Sequence, residues 1–496
     1  MTRESRGMLS EIFHTNHSSG KRTLPLLLLI CIFILMACGN KDRAGLPPEP
    51  EEGVLIYAGL NPMDKALELQ IKQFNEEHTD VQIQFRDYSD EGGPQRLLVE
   101  LALGRVPDIM ELQRIGREDY NAVKNVEVMY YTSPLTADLS NVYWMPYRQM
   151  AQKGYLEELW PYIENDPDLG REGVLEAPLK AAEVNGGLYM LFGDVSVNTL
   201  IGSRDMFGDR WGWTMEEMKE AFAAMPPGAT VLQFDATQYK VFRTLMSPML
   251  DQYVDWEAGE CHFDNDDFRG MVEFLKLFPA ECDARLKPKE IKKRIILDRL
   301  DGLQMLETVS FVLVDNAQYY NNYFKSGTDY IGYPTADGSP GRSFVPLGSK
   351  LGMSSVCQNK EAAWEFMRKL ILPRYGRNTG LLRAIDMEQI RICVNRRDYE
   401  DAIYMALKRA KMYKIDYHPV PPYSGGPEWR FYYPVQEDAD LYERVIATTT
   451  GFYWPNEALS DVVWDAIAPC LAGDRSVEDT IDMVQNRVGL YVNENR

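Results

Sequence analysis

From Leu24 to Cys38 the chain reads LPLLLLICIFILMAC, an apolar run set directly behind the basic pair Lys21 and Arg22. A basic stretch, an apolar stretch and a close on small residues have the organisation of an export signal. A membrane-spanning helix needs about 20 apolar residues, and this run is shorter. The rest of the chain is therefore expected to fold on the far side of a membrane. The leader ahead of Lys21 is long and holds Glu4, Glu11, His14 and His17, so initiation at Met8 stays open beside Met1.

The closing tetrad Leu35, Met36, Ala37 and Cys38 resembles the lipobox of bacterial lipoproteins. That resemblance implies cleavage before Cys38 and a diacylglyceryl group on its sulfur, with residues 1–37 as the signal peptide. Residues 38–53 then form a tether. Lys41 to Gly53 (KDRAGLPPEPEEG) is proline-rich and acidic, too poor in apolar residues to bury a core and suited to a solvated linker.

Beyond the tether the chain is too long for one core, since single cores stop growing near about 250 to 300 residues. Two or three lobes are expected. The chain carries 53 Lys+Arg against 74 Asp+Glu, a net charge of −21 that repels phosphate backbones and argues against nucleic acid. Of seven cysteines, Cys31 and Cys38 fall in the leader. The other five are scattered and odd in number, a poor disulfide framework; Cys261 and Cys282 either pair or are separate buried thiols. No CxxC and no clustered His/Cys spacing points to zinc, and no metal or cofactor is expected.

Folding begins at Val54 to Leu60 (VLIYAGL), an apolar run fit for a buried strand. Asn61-Pro62 is the expected start of an amphipathic helix near Met63 to His78, and Val81 to Asp87 alternates as a strand. Strand, helix, strand opens an α/β lobe. Gln95 to Leu103 continues as a helix stopped by Gly104, and Val106 to Leu112 as a further strand. In such sheets ligands gather at the carboxyl ends of strands.

With these elements placed, a wider resemblance becomes specific. The lipobox, VLIYAGL, the segment LALGRVPDIMEL (Leu101–Leu112), MAQKGYLEELWPYI (Met150–Ile163) and NGGLYMLF (Asn185–Phe192) resemble the family 1 extracellular solute-binding proteins of ABC importers. So do Phe207-Gly208 with Trp213 to Glu217, the acidic turn Phe263 to Phe268, and the helices Lys360 to Leu370 and Ala472 to Val488. No single motif is diagnostic, but their order spans nearly the whole chain after the tether. The resemblance implies an α/β, two-lobed periplasmic-binding-protein-like fold of type II, with discontinuous lobes joined by crossing strands. Asn185 to Phe192 with Val195 to Ile201 is the expected first crossing, and Phe344 to Ser354 the return. Lobe one is then 54–192 and 346–385, lobe two is 193–345, and 386–496 is a C-terminal helical segment packing mainly on lobe two. Gly116 to Tyr147 is longer than these motifs require, a candidate decoration of the cleft edge.

The resemblance further implies a lipid-anchored, monomeric receptor on the outer side of the cell membrane, handing a carbohydrate to ABC permease subunits without chemistry. The residues agree with a sugar. The chain has 28 Tyr, 19 Phe and 9 Trp, and their clustering supplies flat rings of the kind that cover sugar C–H faces, while amides and carboxylates direct hydroxyls. Candidate ligand contacts are Asn61, Glu111, Gln113 and Arg114 at strand ends, Asp194 at the crossing, and Trp256, Trp429 and Trp454. For each ring, packing inside a core is the competing role. Trp429 and Trp454 come after the proline- and glycine-rich Tyr417 to Pro427, and loops on a rigid scaffold commonly carry binding residues. Trp144 with Tyr143 and Tyr147 forms a further cluster.

Catalytic alternatives are weaker. Asp264, Asp266 and Asp267 lack calcium-loop grammar, because Phe268 and Arg269 occupy places that need a ligand and a glycine; helix capping explains them better. Glu157/Glu158 and Glu216/Glu217 are adjacent rather than opposed across a bond, as glycoside hydrolysis requires. There is no Walker loop, GxSxG or HExxH. A receptor for a polyol, phosphorylated compound or peptide, a surface polysaccharide hydrolase or lyase, and a sensory lipoprotein remain as alternatives.

Overall fold

The computed structural model describes residues 52–115, 142–282, 288–372, 392–412, 418–420, 429–431 and 433–495. Cys38, the tether to Glu51 and most of Gly116 to Tyr147 lie outside them. Their framework is a nine-stranded sheet: β1 (Val54–Gly59), β2 (Gln82–Asp87), β3 (Ile109–Glu111), β4 (Leu191–Ser203), β5 (Leu306–Phe311), β6 (Thr328–Asp329), β7 (Ser343–Met353), β8 (Ile392–Cys393) and β9 (Gly451–Phe452). The main path runs β6-β4-β7-β3-β1-β2, with β5 and β8 also on β4 and β9 on β7.

The opening behaves as its residues require. β1 buries Leu55, Ile56, Tyr57 and Ala58 on both faces, as a strand covered on two sides must. It pairs in parallel with β2 and β3, joined by the crossover helices α1 (Lys65–Glu77) and α2 (Gly93–Ala102). Asp64 caps α1, its Oδ1 accepting from the amides of Ala66 at 3.0 Å and Leu67 at 2.9 Å. Asn61, expected as part of that helix start, is instead committed to the end of β3.

β4 and β7 are the two long strands, antiparallel to each other from Leu191 through Asn198 and from Ser343 through Leu351. β4 serves two cores, through Val197 and Leu200, whereas Phe344, Leu351 and Met353 of β7 belong to the first. The end of β7 pairs with β3 through Leu351, Gly352 and Met353, while the far half of β4 pairs with β5 and β6. The first core gathers Leu55, Phe74, Leu97, Met110, Phe192, Val197, Met353 and Phe366; the second gathers Leu200, Trp213, Met218, Phe242, Phe268, Phe274, Val463 and Val484. Of the expected crossings, Val195 to Ile201 lies on β4 and Phe344 to Met353 on β7, while Asn185 to Met190 precedes β4; the α/β architecture is two-lobed with discontinuous lobes.

In the second core α3 (Met215–Ala223) starts on a capping box between Thr214 and Glu217. α4 (Asp266–Leu275) is capped by Asn265, with Asp266 and Asp267 in the positive first turn. The helix α5 (Asn316–Asn321) comes after β5, and α6 (Lys360–Ile371) brings Trp364 and Phe366 to the first core. Among the described residues from Ile392 on, side chains enter both cores. α7 (Gln436–Ala447) adds Tyr442 and Val445 to the first core, and its Asp438 Oδ2 accepts from Gln318 Nε2 at 2.9 Å. By contrast, α8 (Glu457–Leu471) and α9 (Val477–Asn495) line the second. Cys261 is a buried free thiol and Cys282 an exposed one, so the two are not bridged and only the first is a core residue.

Candidate functional site

Sheet order brings the carboxyl ends of β1 and β3 together with β7. Glu111, the last residue of β3, is buried between them. Its Oε1 accepts from the Tyr57 hydroxyl at 3.0 Å, and its Oε2 from the Asn61 amide and side-chain Nδ2, both at 2.8 Å. Asn61 Nδ2 also donates to the Gln113 carbonyl, and its Oδ1 accepts from the Ile115 amide, each at 2.8 Å. Three of the candidate residues therefore form one network. Burial raises the Glu111 carboxyl above its ordinary range against the pull of these donors, and burial, then the neighbouring carboxylate, pushes Tyr57 far up.

Gln113 opens a small hairpin in which residues 113–115 pair with Val142–Trp144, setting Gln113 opposite Trp144. Lys350, from β7, donates to Gln113 Oε1 and holds its ammonium 5.6 Å from the centroid of the Trp144 ring. Arg114 turns away and donates from Nε to the Ser89 carbonyl at 3.0 Å. Lys350 is only 5% exposed. Sequence reasoning passed over it, although a lysine inside the apolar run of β7 was a visible anomaly.

An aromatic patch adjoins this network. Trp454 meets Trp144 edge-on at 4.8 Å and Tyr147 at 5.0 Å, and its indole N–H donates to the Met145 carbonyl at 2.9 Å. The patch sits where the two cores change over. Trp454 is packed in the first core, and two residues later Asn456 caps α8 of the second through the Leu459 amide. Tyr453 donates its amide to the Phe344 carbonyl on β7 at 2.8 Å, which fixes the segment along the shared strands. The chain beyond Trp144 also reaches the second core's side: Arg148 pairs with Asp251 at 3.6 Å, and Gln152 donates to the Trp256 carbonyl at 3.3 Å.

The remaining candidates lie apart. Asp194 is on β4 opposite Leu347 and Cys393, at an irregularity of β7 between Leu347 and Lys350. There it lines a cavity of ≈ 140 Å³ with Gly193, Gly348, Ser349 and Asn395. Trp256 packs against the second core with its ring edge-on to Tyr491 at 6.2 Å. Trp429 begins a short strand paired with residues 418–420; its side chain is outside the described residues.

The acidic pairs are occupied structurally. Glu157 takes Lys360 at 2.8 Å, Glu158 accepts the Trp160 and Leu188 amides, Glu216 takes Lys219, and Glu217 closes its capping box. Among the described residues no group of three His, Cys, Asp or Glu is placed to hold a metal ion. No described helix is long and apolar enough to cross a membrane.

Two cores joined through β4, with polar and aromatic side chains gathered at strand ends, define a two-lobed α/β architecture. No protein-family model and no curated protein matches this chain. Solved structures do. The sugar-binding protein MalE from the phytopathogen Xanthomonas citri aligns over 89% of this chain and 98% of its own at 11% identity and a TM-score of 0.49. An ABC substrate-binding protein of Listeria monocytogenes in complex with cycloalternan covers 89% of this chain and 100% of its own, at 14% identity and a TM-score of 0.44. A family 1 extracellular solute-binding protein from Alicyclobacillus acidocaldarius covers 88% and 98%, at 12% identity and 0.44.

Proposed function

We propose that this chain is the solute receptor of an ABC importer, anchored through a lipid on Cys38, and that it captures a carbohydrate, specifically an oligosaccharide. The observation that carries the reading is the patch of Trp144, Tyr147 and Trp454 beside Gln113 and Lys350, set at the changeover between two cores. Flat rings cover the C–H faces of a sugar, and directed amide and ammonium groups at their edge take its hydroxyls.

In this reading Gln113, Trp144 and Trp454 meet the ligand, Glu111 and Asn61 hold the strand ends in place, and Arg114, turned to the Ser89 carbonyl, stays outside the contact set. Asp194 and Trp256 extend the contact set along the shared strands and on the second lobe. A ligand that touches both lobes favours their closed arrangement by its differential contacts, and permease subunits read the closed pair. The receptor returns its ligand unchanged.

The test is thermal unfolding of the full chain against neutral and acidic oligosaccharides, polyols, phosphorylated compounds and peptides. A ligand at about 100 times its dissociation constant stabilises the native state by about 2.7 kcal/mol. A saturable upward shift with an oligosaccharide recovered intact supports the receptor. Conversion of the glycan assigns a hydrolase or lyase instead. A shift only with other solutes removes the carbohydrate, and no shift at all overturns ligand capture.

A further inference from the structure

The helix Pro288–Leu300 has a charge at odds with the chain that carries it. It holds five cations, Lys289, Lys292, Lys293, Arg294 and Arg299, against the acids Glu290 and Asp298, in a chain of net charge −21. Its two ends differ. Near its close Arg299 is buried, pairs with Glu307 of β5 at 3.3 Å and lies over the Tyr323 ring at 4.0 Å, which roots the helix in the fold. The other four cations stand in the first two turns, between positions 289 and 294. Cations there add to the positive end of the helix dipole, so the helix itself gains nothing from holding them.

Lys293 and Arg294 are exposed. Arg294 stacks on Phe234 at 4.6 Å and meets Asp298 at 3.3 Å, while Lys293 has no ion-pair partner among the described residues. One turn on from Lys293, Leu297 is 36% exposed. The neighbouring segment repeats this make-up. Four residues after Phe234, the Gln238 amide donates to the Pro279 carbonyl at 2.9 Å. Just ahead of Pro279 stand Lys276, exposed and likewise without an ion-pair partner among the described residues, and Leu277, 62% exposed. Cations interleaved with exposed leucines match a surface that offers negative charge at its rim and hydrocarbon just beneath, as anionic lipid does. A small soluble anion would use the cations and leave the leucines in water.

We propose that the first two turns of the helix Pro288–Leu300, with Lys276 and Leu277, form a face that rests on the anionic headgroups of a lipid bilayer. This rests on the lipid-anchored reading above, which puts the chain at a membrane. Residues 39–51, between the lipid and the fold, extend to at most about 45 Å, so the tether leaves the contact within reach. An anionic surface repels the acidic faces of the chain and draws this one. The contact therefore sets which way the receptor faces.

The experiment is flotation of the chain from Gly39 onward, which holds every described residue and carries no lipid, with vesicles of phosphatidylglycerol and phosphatidylcholine in equal parts and with vesicles of phosphatidylcholine alone. Expected is binding to the anionic vesicles that falls steeply between about 20 and about 300 mM salt. Lys276→Glu with Lys293→Glu should weaken it about tenfold or more, since each cation at such a surface is worth about fivefold. Leu297→Ser should weaken it about threefold with no change of charge. Lys65→Glu with Lys72→Glu, the same reversal at two exposed positions of α1, should leave it at the parent level, and melting temperatures at the parent value separate lost contact from lost fold. Equal binding by the two reversed pairs, equal binding to the neutral vesicles, or no binding to the anionic ones overturns the face and leaves the receptor and its anchor standing. Mass spectrometry of the full chain made in a bacterium that processes lipoproteins reports the anchor separately. An unmodified Cys38 there overturns the anchored reading and, with it, the lasting contact proposed here.

Discussion

Arg444 stacks its guanidinium on Trp211, with 3.8 Å from the central carbon to the ring centroid. Arg342 approaches the same ring at 4.1 Å. Arg342 is 3% exposed and, among the described residues, bonds to neutral acceptors, Thr199, Thr448 and the Tyr330 carbonyl. Burial, then the charge of Arg444, pulls it down to about 9. The indole face thus adds a favourable contact for two neighbouring cations, one buried and one exposed. Trp211→Leu is expected to cost about 2 to 3 kcal/mol in urea unfolding, and a double-mutant cycle with Arg444→Met should show a coupling of about 1 kcal/mol. Additive effects would dissolve the stack as an energetic unit.

Glu111 makes stability depend on pH in the less familiar direction. Its folded carboxyl is raised by burial, so over the window above the unfolded value of about 4.3 the native state holds a proton that the unfolded chain has released. Its contribution is therefore full below that value and is lost as pH rises through the raised one. Relative to the unsubstituted chain, Glu111→Gln should gain stability as pH rises above about 4.3, and the gain should level off once the folded carboxyl has ionised as well. A difference that stays constant across urea curves at those pH values would contradict the assignment.

Gly193 admits no side chain. A Cβ there would stand 2.2 Å from the Ile371 carbonyl oxygen at the end of α6, while the Gly193 carbonyl already accepts from the Val394 amide at 2.8 Å. Gly193→Ala must move either β4 or α6, at a cost of about 1 to 3 kcal/mol. Chemical denaturation reads this directly, and a variant as stable as the parent would show that α6 yields freely.

The two tryptophans of the patch should separate stability from binding. Trp454 is buried and hydrogen-bonded to Met145, so Trp454→Ala is expected to cost about 3 to 5 kcal/mol. Trp144 is half-buried, and Trp144→Ala should leave the fold near its parent stability while weakening oligosaccharide binding about tenfold. Unaltered affinity in Trp144→Ala would take the ring out of the contact set.

Much of the frame was legible. VLIYAGL was suited to a buried strand and supplies β1, and most of the runs expected as crossings, Val195–Ile201 and Phe344–Met353, lie on β4 and β7. The site was legible only as scattered residues. Asn61 and Glu111 are joined across 50 positions, and nothing local announces such a bond; locally, Asn61-Pro62 reads as a helix start, while Asp64 does the capping. Lys350 and Arg342 were missed for the opposite reason. Lys350 sits in a strand where periodicity marks burial and Arg342 directly ahead of β7, and only the neighbouring elements show whether a partner waits there.

The pairing of Glu111 with Leu351 has a consequence in time. β3 is made early, but the neighbour that completes its sheet arrives only after the whole sequence of β4, β5 and most of the second core. Until then β3 presents a bare edge, a template for any other strand. The first lobe begins first and is completed only after most of the second has been passed. Closure across so long a loop makes folding slow, and a chain cut before Ser343 leaves β3 and β4 without the strand that joins them.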